Sequence, residues 1–287
     1  MGISNLGRIG IWSTELRFGD KHEIAEAAAE LDELGFGALW VPGGVDDGVL
    51  KDMNDLLAVT QRAVIASGIL NIWKHQPEGV AEWFRDLPTE HQQRVMLGLG
   101  VSHGPLIGEA WQKPLAATRD FLDGLEQAGM PRDNLCLAAL GPKMLALSAQ
   151  RTAGAHPYLV TPEHTARARE ILGANRVLAP EQGVILEADP TRARKTAREA
   201  LTHYAQLPNY RNNWLRLGFS QEDVDTVSDR LLDGLFAWGD IDTIASRAQA
   251  HLDAGANHVC LQVVRGPRGG DIPGLLGACR ELARVLL

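Results

Sequence analysis

The sequence predicts an α/β protein: one (β/α)₈ TIM barrel spanning residues 1–287, with a helical insertion between strands seven and eight. Three observations predict it. Short apolar runs bounded by glycine or proline alternate along the whole chain with segments of helical periodicity. A length of 287 residues suits one such barrel and can bury a sizeable core. Residues suited to a flat ligand with an anionic tail fall at the C-terminal ends of the runs, where such barrels keep their active sites.

In order, Leu6 to Trp12 reads as strand one, and Glu23 to Leu34 as an amphipathic helix stopped by Gly35. Ala38 to Val41 is strand two, followed by a helix near Asn54 to Arg62 and by strand three, Val64 to Asn71. Pro77 opens a helix, Val95 to Leu99 is strand four, and Leu115 to Ala128 is helical. Strand five is Leu135 to Leu140, strand six Ala155 to Val160, strand seven Val184 to Glu187 and strand eight His258 to Val264. A long helical region from Pro190 past Trp214 to Phe236 exceeds what one crossover needs. Within it, Leu207 to Trp214 reads either as a lid or as a surface helical hairpin.

Composition narrows the function classes. With 45% hydrophobic and 22% charged residues the chain is an ordinary globular protein. A formal net charge of −8 speaks against a nucleic-acid partner and leaves room for a local anion site. The three cysteines, Cys136, Cys260 and Cys279, are widely spaced and suggest neither a disulfide framework nor a thiolate metal site. No run has the apolar length of a leader segment or a membrane span, so no membrane partner and a cytoplasmic location are expected.

The stretch Arg94-Val-Met-Leu-Gly-Leu-Gly-Val-Ser-His103 organises the rest. Its Gly98-x-Gly100 pair after a strand looks like a dinucleotide fingerprint, but Pro105 and a loop follow where a helix N-terminus is required. Read instead as a barrel strand, its glycines let the backbone approach a flat ligand and His103 faces the pocket. His103 is then a proton donor or acceptor, or alternatively a hydrogen-bonded structural histidine. The strand ends add Trp12, Gly43, Gly44, Trp73, His75, Ser102, Tyr158 and Arg265. Trp12 and Trp73 read as ring-stacking or as core residues, and His75 as a loop residue facing solvent. His251 and His258 read as structural, and Asp46-Asp47 as a solvated loop. Nothing resembles a zinc-protease helix, a nucleophile elbow or a catalytic triad.

Gly141-Pro142-Lys143-Met144 is the sharpest local signal. A proline at a helix start behind a glycine leaves backbone N–H groups and positive dipole character free for a phosphate. Thr161-Pro162-Glu163-His164 repeats the device one unit later. Each is also readable as an ordinary cap.

At these residues the chain resembles the bacterial luciferase-like monooxygenase superfamily, in its branch of coenzyme F420-dependent oxidoreductases. The resemblance spans nearly the whole chain, through Arg8-Ile-Gly-Ile-Trp12, Leu34-Gly-Phe-Gly-Ala-Leu-Trp-Val41, Ala66-Ser-Gly-Ile-Leu70 and the His103 stretch. It continues in Ala138-Ala-Leu-Gly-Pro-Lys-Met144, His156-Pro-Tyr-Leu-Val-Thr-Pro-Glu-His164 and Asp253-Ala-Gly-Ala-Asn-His-Val-Cys260. It implies a barrel with F420 or FMN above its mouth, and a non-prolyl cis peptide between Gly68 and Ile69 whose bulge supports the ring. It further implies a phosphate at Gly141 to Met144 and Thr161 to His164, and a homodimer.

One departure stands out. Relatives carry an Asp-His pair after strand two where this chain has Gly43 and Gly44. That leaves His103, with His75 as second candidate, to supply acid/base chemistry, or the glycines to widen the pocket. The resemblance implies hydride transfer between F420 and a small organic substrate. FMN-dependent monooxygenation and cofactor binding without turnover are the alternatives.

Overall fold

The computed structural model describes residues 6–44, 46–111, 113–266 and 271–287. Residues 1–5, on which the reading of the N-terminus partly rests, lie outside that set. Ten strands form one sheet: β1 (Ile9–Trp12), β2 (Ala38–Gly43), β3 (Val64–Asn71), β4 (Val95–Gly100), β5 (Leu135–Leu137), β6 (Gly154–Ala155), β7 (Val177–Leu178), β8 (Glu181–Ile185), β9 (Phe236–Trp238) and β10 (Val259–Val263). Their order is β7-β6-β5-β4-β3-β2-β1-β10-β8-β9, and every pairing is parallel. A parallel sheet needs crossovers, and the intervening helices supply them. All strands therefore end on one face.

The sheet curls. Trp40 on β2 and His156, just after β6, are four strand spacings apart, about 19 Å in a flat sheet. Their rings nevertheless stack at 4.2 Å. Alternate residues of each strand feed opposite layers. Trp12, Ala38, Trp40, Ala66, Met96, Cys136 and Cys260 fill the inner cluster. Ile11, Leu39, Val41, Ile65 and Leu97 pack outward against the helices.

Some expectations are corrected. Ten strands are present where eight were read: the predicted seventh strand, Val184 to Glu187, is observed as β8 from Glu181 to Ile185, and the unread β7 lies just before it, separated by Pro180, which has no N–H. β7 pairs with β6, and β8 pairs with β10. The Ala179 and Glu181 N–H groups still donate to Ala155 and Pro157 carbonyls, while the Pro180 carbonyl accepts from Cys260 N–H. The predicted sixth strand stops at Ala155, since Pro157 cannot donate and Leu159 takes a left-handed φ of 54°. Strand β9 also emerges at Phe236, where helix was expected to end. Between β8 and β9 lie the helices Pro190–Leu201, Pro208–Leu217, Gln221–Thr226 and Asp229–Leu235. They share a second apolar cluster with Leu159 and Ile185. Among the described residues no helix is long and apolar enough to cross a membrane.

One buried carboxylate sets the entry to β3. Asp32, in the helix Lys21–Leu34, accepts the N–H groups of Gln61, Arg62 and Ala63 at 2.6–3.3 Å. Removing it leaves three donors short of their partner near the core. Asp32→Ala is expected to lower stability by about 3 kcal/mol in urea unfolding, whereas a surface effect would stay within about 0.5 kcal/mol.

Candidate active site

The expected cis peptide joins Gly68 to Ile69. Around it the register of β3 slips against β4 between Gly68 and Leu70, and that of β2 slips against β3 between Val41 and Gly43. The bulge turns the chain of Ile69 toward both neighbours. A Cβ on Gly43 would sit 2.8 Å from the Ile69 carbonyl oxygen and 3.1 Å from the Val49 methyls. A Cβ on Gly100 would meet the Ile69 side chain at 2.8 Å, and one on Gly98 would run into the Ser67 carbonyl. The glycines of β4 are therefore demanded by the adjoining strand and its bulge. That corrects the expectation that they make room for a ligand directly.

Trp12 is buried at 4% exposure, and its indole N–H donates to the Gly68 carbonyl at 2.9 Å. It braces the bulge from inside the sheet, the core alternative of its two readings. Gly44 differs from Gly43. Nothing lies within 4 Å of the Cβ it lacks, and its carbonyl accepts from the Asn71 amide at 3.0 Å. Trp73 is half-buried, and its indole donates to the Val101 carbonyl at 2.8 Å, which also accepts from Trp111 at 3.1 Å.

Ser102 follows with a left-handed φ of 51°, and His103 comes next. His103 lies half-buried against Tyr204 and Tyr210, with ring centroids 6.4 and 5.6 Å away. Tyr158, Tyr204 and Tyr210 are all the tyrosines of the chain, and they pack together at 5.2–6.3 Å. Tyr158 touches Trp12 at 5.8 Å and donates to Gln262 at 2.8 Å. The cluster thus lies over the ends of β1, β4, β6 and β10. Trp214 ties the covering helix down by donating to the Leu159 carbonyl at 3.1 Å. Leu207 to Trp214 is consequently a cover over the strand ends, and the surface-hairpin alternative is set aside.

Burial, aided by the charge of nearby His203, pushes the His103 imidazole down to about 4, and its buried Nδ1 has no partner in the protein. It is neutral near pH 7 and too weak a base there for the acid/base role expected of it. His75 does not face solvent as expected. It is half-buried with an unpartnered Nε2, and burial lowers its pKa against the opposing charges of Asp47 and Asp46. Asp46 is no free loop acid either. It pairs with the buried Arg17, which also donates to Asp52 at 2.8 Å and to the Pro42 carbonyl at 2.6 Å.

The two helix starts prove unequal. Thr161 accepts from the His164 N–H at 3.4 Å, and its hydroxyl holds the Glu163 carboxylate, lowering that group's pKa. That end is capped from within, with a carboxylate beside it. The helix Pro142–Arg151 has Gly141 at its cap position and no side-chain cap. Lys143 is exposed there and Met144 half-buried. His164 is buried and donates to the Leu140 carbonyl at 2.9 Å, one residue before Gly141. The structural reading of two other histidines holds: His251 is bonded to Thr165 and Gln182, and His258 to Gly7 and Trp40. Among the described residues no cluster of His, Cys, Asp or Glu could hold a metal.

The luciferase-like monooxygenase family model matches residues 1–258. The chain belongs to that family. No curated protein matches it by sequence. Among solved structures, this luciferase-like protein is similar to an F420-dependent secondary alcohol dehydrogenase holding an F420–acetone adduct (TM-score 0.72, 15% identity, 98% of this chain and 99% of that one). It is also similar to the coenzyme F420-dependent tetrahydromethanopterin reductase of Methanopyrus kandleri (0.69, 14%, 98% and 99%). The FMN complex of the Pseudomonas putida 3,6-diketocamphane monooxygenase gives 0.66 at 13% identity, covering 98% and 99%. At such identities the likeness is one of fold.

Sequence reasoning missed the Arg17–Asp46–Asp52 network and the tyrosine cluster. The tyrosines had a signal, since two of the three lie within the extra helical region. Two surface cavities of about 500 and 610 Å³ lie away from the cis peptide. The first is lined by Asp233 and Asp240, and its Arg247 is committed to the Asp233 and Gly234 carbonyls, which disfavours an anion.

Two outcomes follow from this geometry. Gly43→Ala should cost about 1–3 kcal/mol through overpacking, while Gly44→Ala leaves the melting temperature nearly unchanged. Equal effects would show that the bulge does not press on β2. Burial holds five histidines (103, 156, 164, 251 and 258) at about 3 to 4 in the folded protein, below the ordinary imidazole value of about 6.5. The unfolded chain binds protons first, so their contribution is full above pH 6.5 and is lost as pH falls toward 4. Calorimetry should show the melting temperature falling through that window; a flat profile would contradict it.

Proposed function

We propose that this luciferase-like protein is an oxidoreductase moving a hydride between the deazaflavin of coenzyme F420 and a small organic substrate. The observation that carries this reading is the Gly68–Ile69 bulge near the end of β3, on the same strand-end side as His103 after β4 and the uncapped Gly141 helix start after β5. With β7 and β8 taken as two pieces of one strand and β9 as part of a 190–238 insertion, the sheet becomes the eight-stranded barrel of one 1–287 domain.

The residues fit such a cofactor. The bulge gives a flat ring a backbone support on the strand-end face, and His103 and His75 leave buried ring nitrogens without protein partners there. The Gly141 and Lys143 N–H groups would hold the phosphate, with the helix dipole behind them. Bound F420 supplies or accepts the hydride. Neutral His103 would hydrogen-bond a substrate or ring oxygen, polarising it without carrying a charge. Trp12 keeps the bulge in place, Tyr158, Tyr204 and Tyr210 exclude water, and Gly44 leaves open the space that the missing Asp-His pair occupies in relatives.

FMN-dependent monooxygenation is the second reading. It is supported by the family's description and by the FMN-bound neighbour, and it uses the same ring and phosphate positions. Separate fluorescence titrations with F420 and FMN distinguish them. Micromolar or tighter binding of F420 with weaker FMN binding is expected; the reverse preference favours the monooxygenase, and binding of neither overturns both. With a substrate in hand, His103→Ala should lower kcat/KM about a hundredfold. Unchanged turnover would remove His103 from the reaction.

A further inference from the structure

The helix Pro208–Leu217 brings Arg216 to the Gly141 helix start, with Asn213 hydrogen-bonded to it, and neither belongs to the motifs that carry the resemblance. The Arg216 guanidinium Nη2 lies 3.6 Å from where a Gly141 Cβ would be, and within 3.4 Å of Asn213 Oδ1. Arg216 has no ion pair among the described residues. Asn213 is 2% exposed, and its Nδ2 donor has no partner in the protein. A buried amide donor left unmade is costly and calls for an acceptor. His164, 4% exposed and tied to the Leu140 carbonyl one residue before Gly141, has an equally unpartnered Nδ1. Arg167 donates to the Arg216 carbonyl at 2.6 Å and so fixes the end of the covering helix at this place.

We infer that Arg216 and Asn213 complete the phosphate seat at Gly141, binding the phosphate of a ribityl-linked flavin or deazaflavin and latching the covering helix onto it. The inference rests on the cofactor reading above and extends it to residues outside the helix start. The seat combines an uncapped ten-residue helix N-terminus, a guanidinium with no competing carboxylate, and a buried amide donor. Charge-assisted hydrogen bonds of this kind are roughly twice as strong as neutral ones. The neighbouring Thr161 start cannot serve alike, because Glu163 occupies it. The chemistry recognised is a phosphate ester, common to FMN and to F420.

The test compares ligands that differ only beyond the ribityl chain: FMN with riboflavin, and F420 with its phosphate-free deazaflavin chromophore. Each pair is titrated into the full chain, into Arg216→Ala, and into the isosteric Asn213→Asp, with fluorescence as the readout. In the unaltered protein the phosphate-bearing member should bind more tightly. Arg216→Ala should cut that advantage about tenfold while leaving the phosphate-free member unchanged, and Arg216→Lys should restore part of it. Asn213→Asp should cut it further by setting a carboxylate against the anion. The pair with the larger loss identifies the cofactor. Binding with an unaltered advantage in both variants would overturn this inference alone. Binding of neither chromophore nor phosphate ester would overturn the cofactor reading, and this one with it.

Discussion

The crowding of β3 against its two neighbours is the constraint on which the strand-end face depends. Ile69 leaves its cis peptide with its carbonyl over Gly43 and its side chain over Gly100, while the Ser67 carbonyl crowds Gly98. Backbone can approach that closely only where a neighbour carries no Cβ. Trp12 then holds the Gly68 carbonyl from within the inner cluster, and Trp12 itself packs against Tyr158. One bulge is thereby registered to β1, β2 and β4 at once, and it reaches the tyrosine cluster through one aromatic contact. Well-packed interiors transmit such constraints because they hold few voids.

Charge is arranged on a different principle from the chain as a whole. The protein carries a formal charge of −8, yet the Gly141 start is met by Arg216 and lies clear of the carboxylates that neutralise other cations. Arg17 is fully engaged by Asp46 and Asp52, and Arg194 by Asp229 and Asp233. Burial keeps His103 and His164 neutral, so these two rings offer dipoles, not further fixed charges, beside Arg216. Preorganised dipoles of this kind suit the hydride transfer proposed above, from which water must stay out.

Much of this was legible in the sequence, for physical reasons. Strand β3 was read to its observed limits because its largely apolar run, Val64 to Leu70, closes at the polar Asn71. The cis peptide came from family resemblance, since no propensity marks it. Strand six was overread because periodicity ignores the donor that Pro157 lacks, whereas β7 and the start of β8 were missed because Pro180 parts two short segments that pair with different neighbours. Site roles were harder. Trp12 and His103 were placed on the right face, but burial decides what each can do, and burial is set by residues far along the chain. Tyr204, Tyr210, Asn213 and Arg216 reach the strand ends only because the Pro208–Leu217 helix folds back over them.

A crystal structure of the protein grown with F420 tests the central claim most directly. The account predicts the deazaflavin ring against Gly68–Ile69 and its phosphate at Gly141, within reach of Arg216. Ligand bound instead in the cavity lined by Asp233, Trp238 and Arg247, with the bulge bare, would contradict it.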